Sequence, residues 1–311
     1  MEPVKDIRIK EQDINKIIKQ LLKSGGFTAK KFSQGVDILE MMQKDNCIKF
    51  LSFPACIVAT GVRGVIRDLV KEGLFDAIIT TTGTLDHDLA RIWRDYYHGD
   101  FFMDDRELHK KGINRLGNIL IPNESYGKIL EEKLQPIFEE IYKDVKEISG
   151  YEMIWKIGEL LRNERGAKNS IIHWACENNV PVFVPGFFDG AFGSQIWLFW
   201  QNHRNFRINL LEDEQKLSDI VFDSEKTGAL IVGGGISKHH TLWWNQFKNG
   251  LDYAVYITTA QEYDGSLSGA RLREAISWGK VGEMAKQVTI EGEATLILPF
   301  MIWALLKRIE R

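Results

Sequence analysis

The sequence predicts an α/β protein: a Rossmann-like, doubly wound and mainly parallel sheet with helices on both faces and an N-terminal helical segment. Three observations carry that prediction. From Ile48 onward, short apolar runs alternate with turns and helical stripes. The runs are apolar on both faces, as strands of a parallel sheet covered on both sides must be. A chain of 311 residues with 44% hydrophobic and 11% aromatic side chains can also enclose a large core.

The first helix is read from Ile14, Ile17, Ile18, Leu21 and Leu22, which recur at helical spacing after Asp13 and stop at Gly25-Gly26. A second is expected to start after Thr28 and run to about Asp45, with Phe32, Val36 and Leu39 on its buried stripe. Phe75 to Thr80 reads as a strand leading through Thr81-Thr82-Gly83-Thr84 into a helix with Leu85, Leu89, Ile92 and Tyr96 on one face. Val180 to Val184 leads through Pro185-Gly186 and Asp189-Gly190 into a Trp-containing segment. Ala229 to Val232 leads into Gly233-Gly234-Gly235 and a helix ending near Asn249-Gly250. Tyr253 to Ile257 leads through Thr258-Thr259 and Asp264-Gly265-Ser266 into a helix near Leu272 to Ile276. Ligands of such sheets collect at the carboxyl ends of the strands, so these four turns are expected to share one crevice. No linker, low-complexity tract or repeat interrupts the chain, giving a helical segment over 1–45 and one continuous domain over 46–311.

Composition removes several function classes. Forty basic against 43 acidic residues leave a formal charge of -3, with no global field for nucleic acid or an anionic membrane. The N-terminus is charged where a secretory signal would be apolar, and no run approaches the ~18 apolar residues of a bilayer span. The longest candidate, Ala294 to Leu306, is read as broken by Pro299. Cys47, Cys56 and Cys176 are widely spaced and form no C-x-x-C pair, so the cytoplasm is the expected compartment.

The Gly233-Gly234-Gly235 turn suits a phosphate or pyrophosphate, because bare backbone can approach the ligand and the next helix supplies free N–H groups. The same turn also serves as a tight connection, and Lys238 stands where a G-x-G-x-x-G motif has its last glycine. Thr80 to Thr84 offers a second such turn, or ordinary helix capping. Asp189 and Asp264 open turns at strand ends and are candidates for ribose hydroxyls or for plain turn chemistry. His239-His240 follows the glycine turn, where an imidazole can exchange a proton near neutral pH or merely start a helix. No acidic residue accompanies it at metal-ligand spacing, and no metal is expected. Lys280, within Ser277-Trp278-Gly279-Lys280, is a candidate nucleophile: a lysine beside an indole loses solvation and is more easily left as the free amine. The stretch His109-Lys110-Lys111 with Arg115 reads as a solvated face, and Trp243-Trp244 as core or subunit interface.

Several ordered blocks from about Ile48 to the C-terminus resemble the deoxyhypusine synthase family. They are Leu230 to His240, Tyr253 to Glu262, Asp264-Gly265-Ser266, Ser268 to Arg271 and Glu274 to Lys280, with Gly112 to Asn118, Pro122-Asn123-Glu124 and Asp189 to Gly193 before them. The resemblance implies an NAD-binding catalytic domain in which Lys280 carries an imine. The reaction implied is NAD-dependent dehydrogenation of spermidine, release of 1,3-diaminopropane, and passage of the aminobutyl group through Lys280 to one lysine of translation initiation factor 5A. His239 is the residue placed to take the amine proton. The implied cofactor contacts are Ala55, Thr81, Thr82, Gly83, Asp189, Gly234, Thr259, Ala260, Asp264, Ser268, Glu293 and Ala294. The implied amine pocket is His239, Gly265, Ser266, Glu274 and Trp278, and the implied assembly is a homotetramer with sites at dimer interfaces.

At three positions where eukaryotic members present acidic side chains near the polyamine, this sequence has His87, Ser194 and Leu267. An unpaired buried ammonium costs several kcal/mol, so Asp86 or Asp88, beside His87, is expected to compensate together with Glu274. The departures keep open a related aminobutyl transferase that makes homospermidine or another polyamine from a small-amine acceptor. A non-catalytic dinucleotide-binding regulatory module is the alternative from another class.

Overall fold

The apolar runs fold as strands. In the computed structural model, which describes residues 1–309, the chain forms two compact units: Met1–Phe53 with Leu74–Ile79 and Leu217 onward, and Pro54–Gly73 with Thr80–Lys216.

Five strands of the first unit pair in parallel, in the order Val281–Glu291, Leu251–Thr258, Thr227–Val232, Ile48–Ser52, Ala77–Ile79. Register runs from Phe50 opposite Ala229 to Ala229 opposite Ala254 and Val255 opposite Val288. All six residues of Thr227–Val232 are buried, as a central strand covered on both faces requires. Val281–Glu291 escapes the sequence reading because its first half is polar and partly exposed; it lies at the end of this order, where one side needs no partner. Phe27–Lys44 packs on Leu251–Thr258 and Val281–Glu291, and Ile236–Asn245 packs on Thr227–Val232 and its neighbours. Close approach of the first pair is possible because residue 35 is glycine: a Cβ there would lie 2.7 Å from Ile290 Cδ1.

The N-terminal helix spans Ile14–Ser24, capped by Asp13, whose carboxylate accepts from Asn15 N at 2.9 Å and Lys16 N at 3.0 Å, and closed by Gly25 at φ 66. The second helix starts at Phe27, not after Thr28. Gly26 takes the cap position, and the Thr28 hydroxyl instead donates to Glu291 O at 3.2 Å. Pro299 does not break the last helix, which runs Ala294–Arg308. One missing amide donor early in the helix is tolerated because Leu298, Met301, Ile302 and Leu305 remain buried along it. Among the described residues, no helix is long and apolar enough to cross a membrane.

The second unit is mostly helical, with Thr82–Trp93, Gly127–Asp144 and Gly190–Asn202 around a cluster of Phe138, Phe192 and Phe199. Tyr96 is not on the face of Thr82–Trp93; that helix ends at Trp93, and the chain returns the Tyr96 hydroxyl to His87 Nδ1 at 2.9 Å. The unit also holds a small antiparallel sheet in which Ile113–Leu116 and Ile119–Pro122 form a hairpin about Gly117-Asn118. Gly117 adopts φ 61, and the alternation of Ile113, Arg115, Ile119 and Ile121 around a Gly-Asn pair was the available signal. His109, Lys110 and Lys111 are exposed, as a solvated face requires, and Arg115 joins them in a surface ion pair, its Nε and Nη2 each donating to the Asp105 carboxylate at 2.6 Å.

Candidate active site

In the first unit, strand Thr227–Val232 ends in Gly233 at φ 65, Gly234, and Gly235 at φ 80, which is the N-cap of Ile236–Asn245 and has no side chain to satisfy the helix's first N–H groups. Both positive φ values demand glycine. Gly234 is demanded by contact instead: a Cβ would fall 2.3 Å from Ser268 Cα and Oγ. Beyond Gly235 a Cβ would meet nothing within 4 Å, so this helix N-terminus opens onto free space beside bare backbone. That cradle fits a pyrophosphate.

The loop facing it, residues 261–270, is tied down from below. Tyr256 Oη donates to Ser268 O at 2.6 Å and Thr258 Oγ1 to the same oxygen at 3.1 Å. Lys238 Nζ donates to Leu267 O at 2.7 Å and Ala270 O at 2.5 Å, and Arg271 Nη1 to Ala260 O and Gly269 O. Asp264 serves its own turn, accepting from Ser266 N at 2.7 Å and Ser266 Oγ at 2.6 Å, bonds that hold its carboxyl below the usual range. Glu293 caps Ala294–Arg308 through Thr295 N and Leu296 N, at 2.9 and 3.1 Å. Thr259 and Ala260 follow the strand Leu251–Thr258 directly, where Ala260 N donates to Thr258 Oγ1 at 3.1 Å.

A cavity of about 330 Å³ in the same unit brings together His239, Glu274, Trp278 and Lys280 of the sequence candidates. Gly265 and Ser266 lie in an exposed turn and do not line it. The backbone of Lys280 is held between elements, its N–H donating to Ala275 O at 3.0 Å and its carbonyl accepting from Leu251 N at 3.1 Å. Its half-buried side chain places Nζ 5.1 Å from the Trp278 ring and 5.6 Å from the Trp243 ring. Trp278 is 66% exposed in the single chain, so the indole offers a face, not an enclosing wall. His239 is held below its ordinary pKa, first by burial and then by the positive charge of Lys280, which keeps the imidazole neutral and able to accept a proton.

A second lysine of the cavity, Lys238, is the buried one. It is 2% exposed, its Nζ sits 4.1 Å over the Tyr256 ring, and burial pushes its pKa down to about 8. Lys238, Leu242 and Trp243 are lining residues that sequence reasoning missed. The signal for Trp243 was its place four residues after His239, one turn further along the same helix face. It is neither core nor hidden beside Trp244, being 42% exposed on the cavity wall.

In the second unit, Ala55 N donates to Thr81 Oγ1 at 3.2 Å, a Cβ on Gly83 would lie 2.8 Å from Ala55 Cβ, and Thr82 Oγ1 donates to Gly186 O at 2.5 Å. Two of the predicted cofactor positions, Thr81 and Gly83, thus meet a third, Ala55, while Thr82 is turned to Gly186. Asp189 is the exposed N-cap of Gly190–Asn202 but does not cap it with its side chain. Asp86 does so instead: Oδ2 accepts from Ala191 N at 3.1 Å and Tyr126 Oη at 2.6 Å, and Oδ1 from Phe192 N at 2.7 Å. Asp86 is 1% exposed and its pKa is raised by burial. Burial pushes the His87 imidazole down to about 4, leaving it neutral against Tyr96. Asp88 is consumed by Arg63 Nε, Ser170 Oγ and the amides of Ile171 and Ile172. The compensation expected of Asp86 and Asp88 is therefore not offered within this unit; their carboxylates hold helix ends together. Ser194 Oγ is likewise committed, to Gly190 O at 2.9 Å.

Known proteins resemble this chain along almost its whole length. The family model described as deoxyhypusine synthase matches residues 16–305. A protein of Picrophilus torridus named "Probable deoxyhypusine synthase" is 60% identical over 307 residues, covering 98% of this chain and 97% of its own length. One of the same name in Thermoplasma acidophilum is 54% identical over 301 residues, with 96% of both chains covered. Among solved structures, one from Entamoeba histolytica that carries the same enzyme name superposes with a TM-score of 0.68 at 20% identity, covering 96% of this chain and 97% of the other, a likeness of fold.

Proposed function

The chain belongs to the deoxyhypusine synthase family and is a transferase of that family, and from this premise we propose that it moves the aminobutyl group of spermidine, through an imine on Lys280, to a lysine of translation initiation factor 5A. NAD is the proposed dinucleotide; when bound it accepts a hydride from the donor amine and returns it at the end, so no net oxidation remains. The observation that carries the reading is the Lys280 amine between two indole rings in a cavity shared with a neutral His239.

Each step falls to a residue of that cavity. His239 accepts the proton of the donor's secondary ammonium, because hydride leaves only a carbon beside a neutral nitrogen. Lys280 Nζ then attacks the carbon of the protonated imine, its proton passes to the departing nitrogen, and 1,3-diaminopropane leaves as the ammonium, so that the aminobutyl group is joined to Lys280 by C=N. Attack by the acceptor lysine releases Lys280 and forms the new imine for reduction. Glu274 is the one carboxylate lining the cavity, among the described residues, and pairs with an ammonium of the donor. In the first unit, Gly234, Thr259, Ala260, Asp264, Ser268, Glu293 and Ala294 are the proposed dinucleotide contacts, supported by the bare backbone at Gly233–Gly235. A homotetramer is the proposed assembly.

Spermidine and NAD should yield 1,3-diaminopropane, and borohydride should fix a four-carbon fragment on Lys280. A Lys280→Ala protein that still modified the factor would refute the assignment. Supplying putrescine and the protein acceptor separately tests the second reading: transfer to putrescine alone would make the chain a homospermidine-type synthase. That reading is favoured by the single cavity carboxylate and by the internal commitment of Asp86 and Asp88.

A further inference from the structure

Trp243 is the largest side chain of the cavity that the proposed chemistry leaves without a task. It lies on Ile236–Asn245 four residues after His239, with ring centroids 5.8 Å apart and planes tilted by 32°. Phe247, a further turn on, meets the Trp243 ring edge-on at 5.9 Å and 88°, which fixes the indole's orientation. Trp278 comes from a different element, after Leu272–Ser277. Both indoles nevertheless approach one atom, Lys280 Nζ, at 5.6 and 5.1 Å. Two ring faces on a single nitrogen already seat one cation, Lys280 itself, which shows that these π faces, carrying the negative end of the ring quadrupole, receive ammonium groups.

The charges of the cavity show why such a seat matters. Lys238, Arg271 and Lys280 are cationic lining residues against the one carboxylate of Glu274. Arg271 is committed to Ala260 O and Gly269 O and approaches Glu291 at 3.5 Å, and Lys238 is committed to two carbonyls. The cavity therefore offers an organic polycation one carboxylate and two indole faces.

We propose that Trp243 is a binding and specificity-determining residue for the amine donor: its exposed indole, together with that of Trp278, lines the path of a linear aliphatic amine whose methylenes lie along the rings beside Lys280 Nζ and one ammonium of which turns toward Glu274. This rests on the function proposed above and deepens it. The rings supply with π faces part of the compensation that carboxylates would otherwise give, and flat aromatic walls favour an unbranched methylene chain.

The test is the dependence of NADH formation on spermidine concentration in wild type, Trp243→Phe and Trp243→Ala, with NAD affinity and melting temperature measured on each. For Trp243→Ala the half-saturating spermidine concentration should rise about tenfold, with kcat changed by less than about threefold, and Trp243→Phe should lie between it and wild type. NAD affinity should stay within about twofold of wild type. The inference is overturned if Trp243→Ala keeps the half-saturating concentration within about twofold, if the loss appears in kcat alone, or if NAD affinity falls in parallel. A wild-type enzyme that forms no NADH from spermidine or any linear diamine would overturn the proposed function, and this inference with it.

Discussion

Lys238 Nζ rests 4.1 Å over the ring of Tyr256, and the two residues hold the same loop, Lys238 through Leu267 O and Ala270 O and Tyr256 through Ser268 O. A buried ammonium with carbonyls and a ring face for company, and no carboxylate within the clasp, fastens residues 267–270 against the glycine turn. Replacing it by an isosteric apolar chain leaves two part-buried carbonyls without this donor. Lys238→Met should lose about 1–2 kcal/mol in urea unfolding, the low end of the roughly 1–3 kcal/mol that an orphaned buried group costs, because water reaches these carbonyls in part.

The pH dependence of stability should carry the same residue's mark. The Lys238 pKa is lowered in the fold to about 8 from its ordinary 10.5, so between those values the unfolded chain holds a proton that the folded chain has released. Stability contributed by this residue is depressed below pH 8 and rises with pH across that window. The upward slope should be present in wild type and absent in Lys238→Met when both are melted from pH 7.5 to 10.

Asp86 separates a structural carboxylate from a ligand-binding one. It caps Gly190–Asn202 and receives the Tyr126 hydroxyl, so Asp86→Ala should lose about 2–4 kcal/mol, the sum of a lost cap and a stranded hydroxyl. An unchanged unfolding midpoint together with a raised spermidine requirement would instead return Asp86 to the amine pocket.

His239 is held below its ordinary pKa of 6.5 by burial and by Lys280, and its neutral form is the one that accepts a proton. The acid limb of kcat/KM for amine oxidation should therefore fall below pH 6.5, with activity lost as the imidazole protonates. His239→Gln should abolish that limb and lower the rate by about 10²-fold, as measured by NADH formation.

Gly234 tests the cradle. A Cβ there would lie 2.3 Å from Ser268 Cα, which is backbone and cannot rotate away. Gly234→Ala should push the loop off the turn, weaken NAD about tenfold or more by calorimetry, and cost about 1–3 kcal/mol of stability.

Much of the site was legible in the chain. The glycine turn, His239, Glu274, Trp278 and Lys280 stand in short blocks whose composition announces a strand end, a helix start and a lysine beside an indole, and four of them do share one cavity. The strands Thr227–Val232 and Leu251–Thr258 announce themselves because a strand covered on both faces must be apolar throughout. Val281–Glu291 does not, because a strand with an unpaired side can carry polar residues and so lacks the pattern.

Sequence alone determined the family, through the resemblance of its ordered blocks, and the parallel sheet and the elements that bear the candidate residues, since these follow from local composition and order. Only the tertiary structure decided that Lys238 is buried beneath the loop, that Asp86 is a helix cap, and that Trp243 faces a cavity. Neighbouring helix positions are rotated by about 100° from each other, so one step along Ile236–Asn245 carries a side chain from the loop beneath it to the cavity wall. Which direction is dry depends on segments packed there from tens of residues away, and no local pattern encodes them.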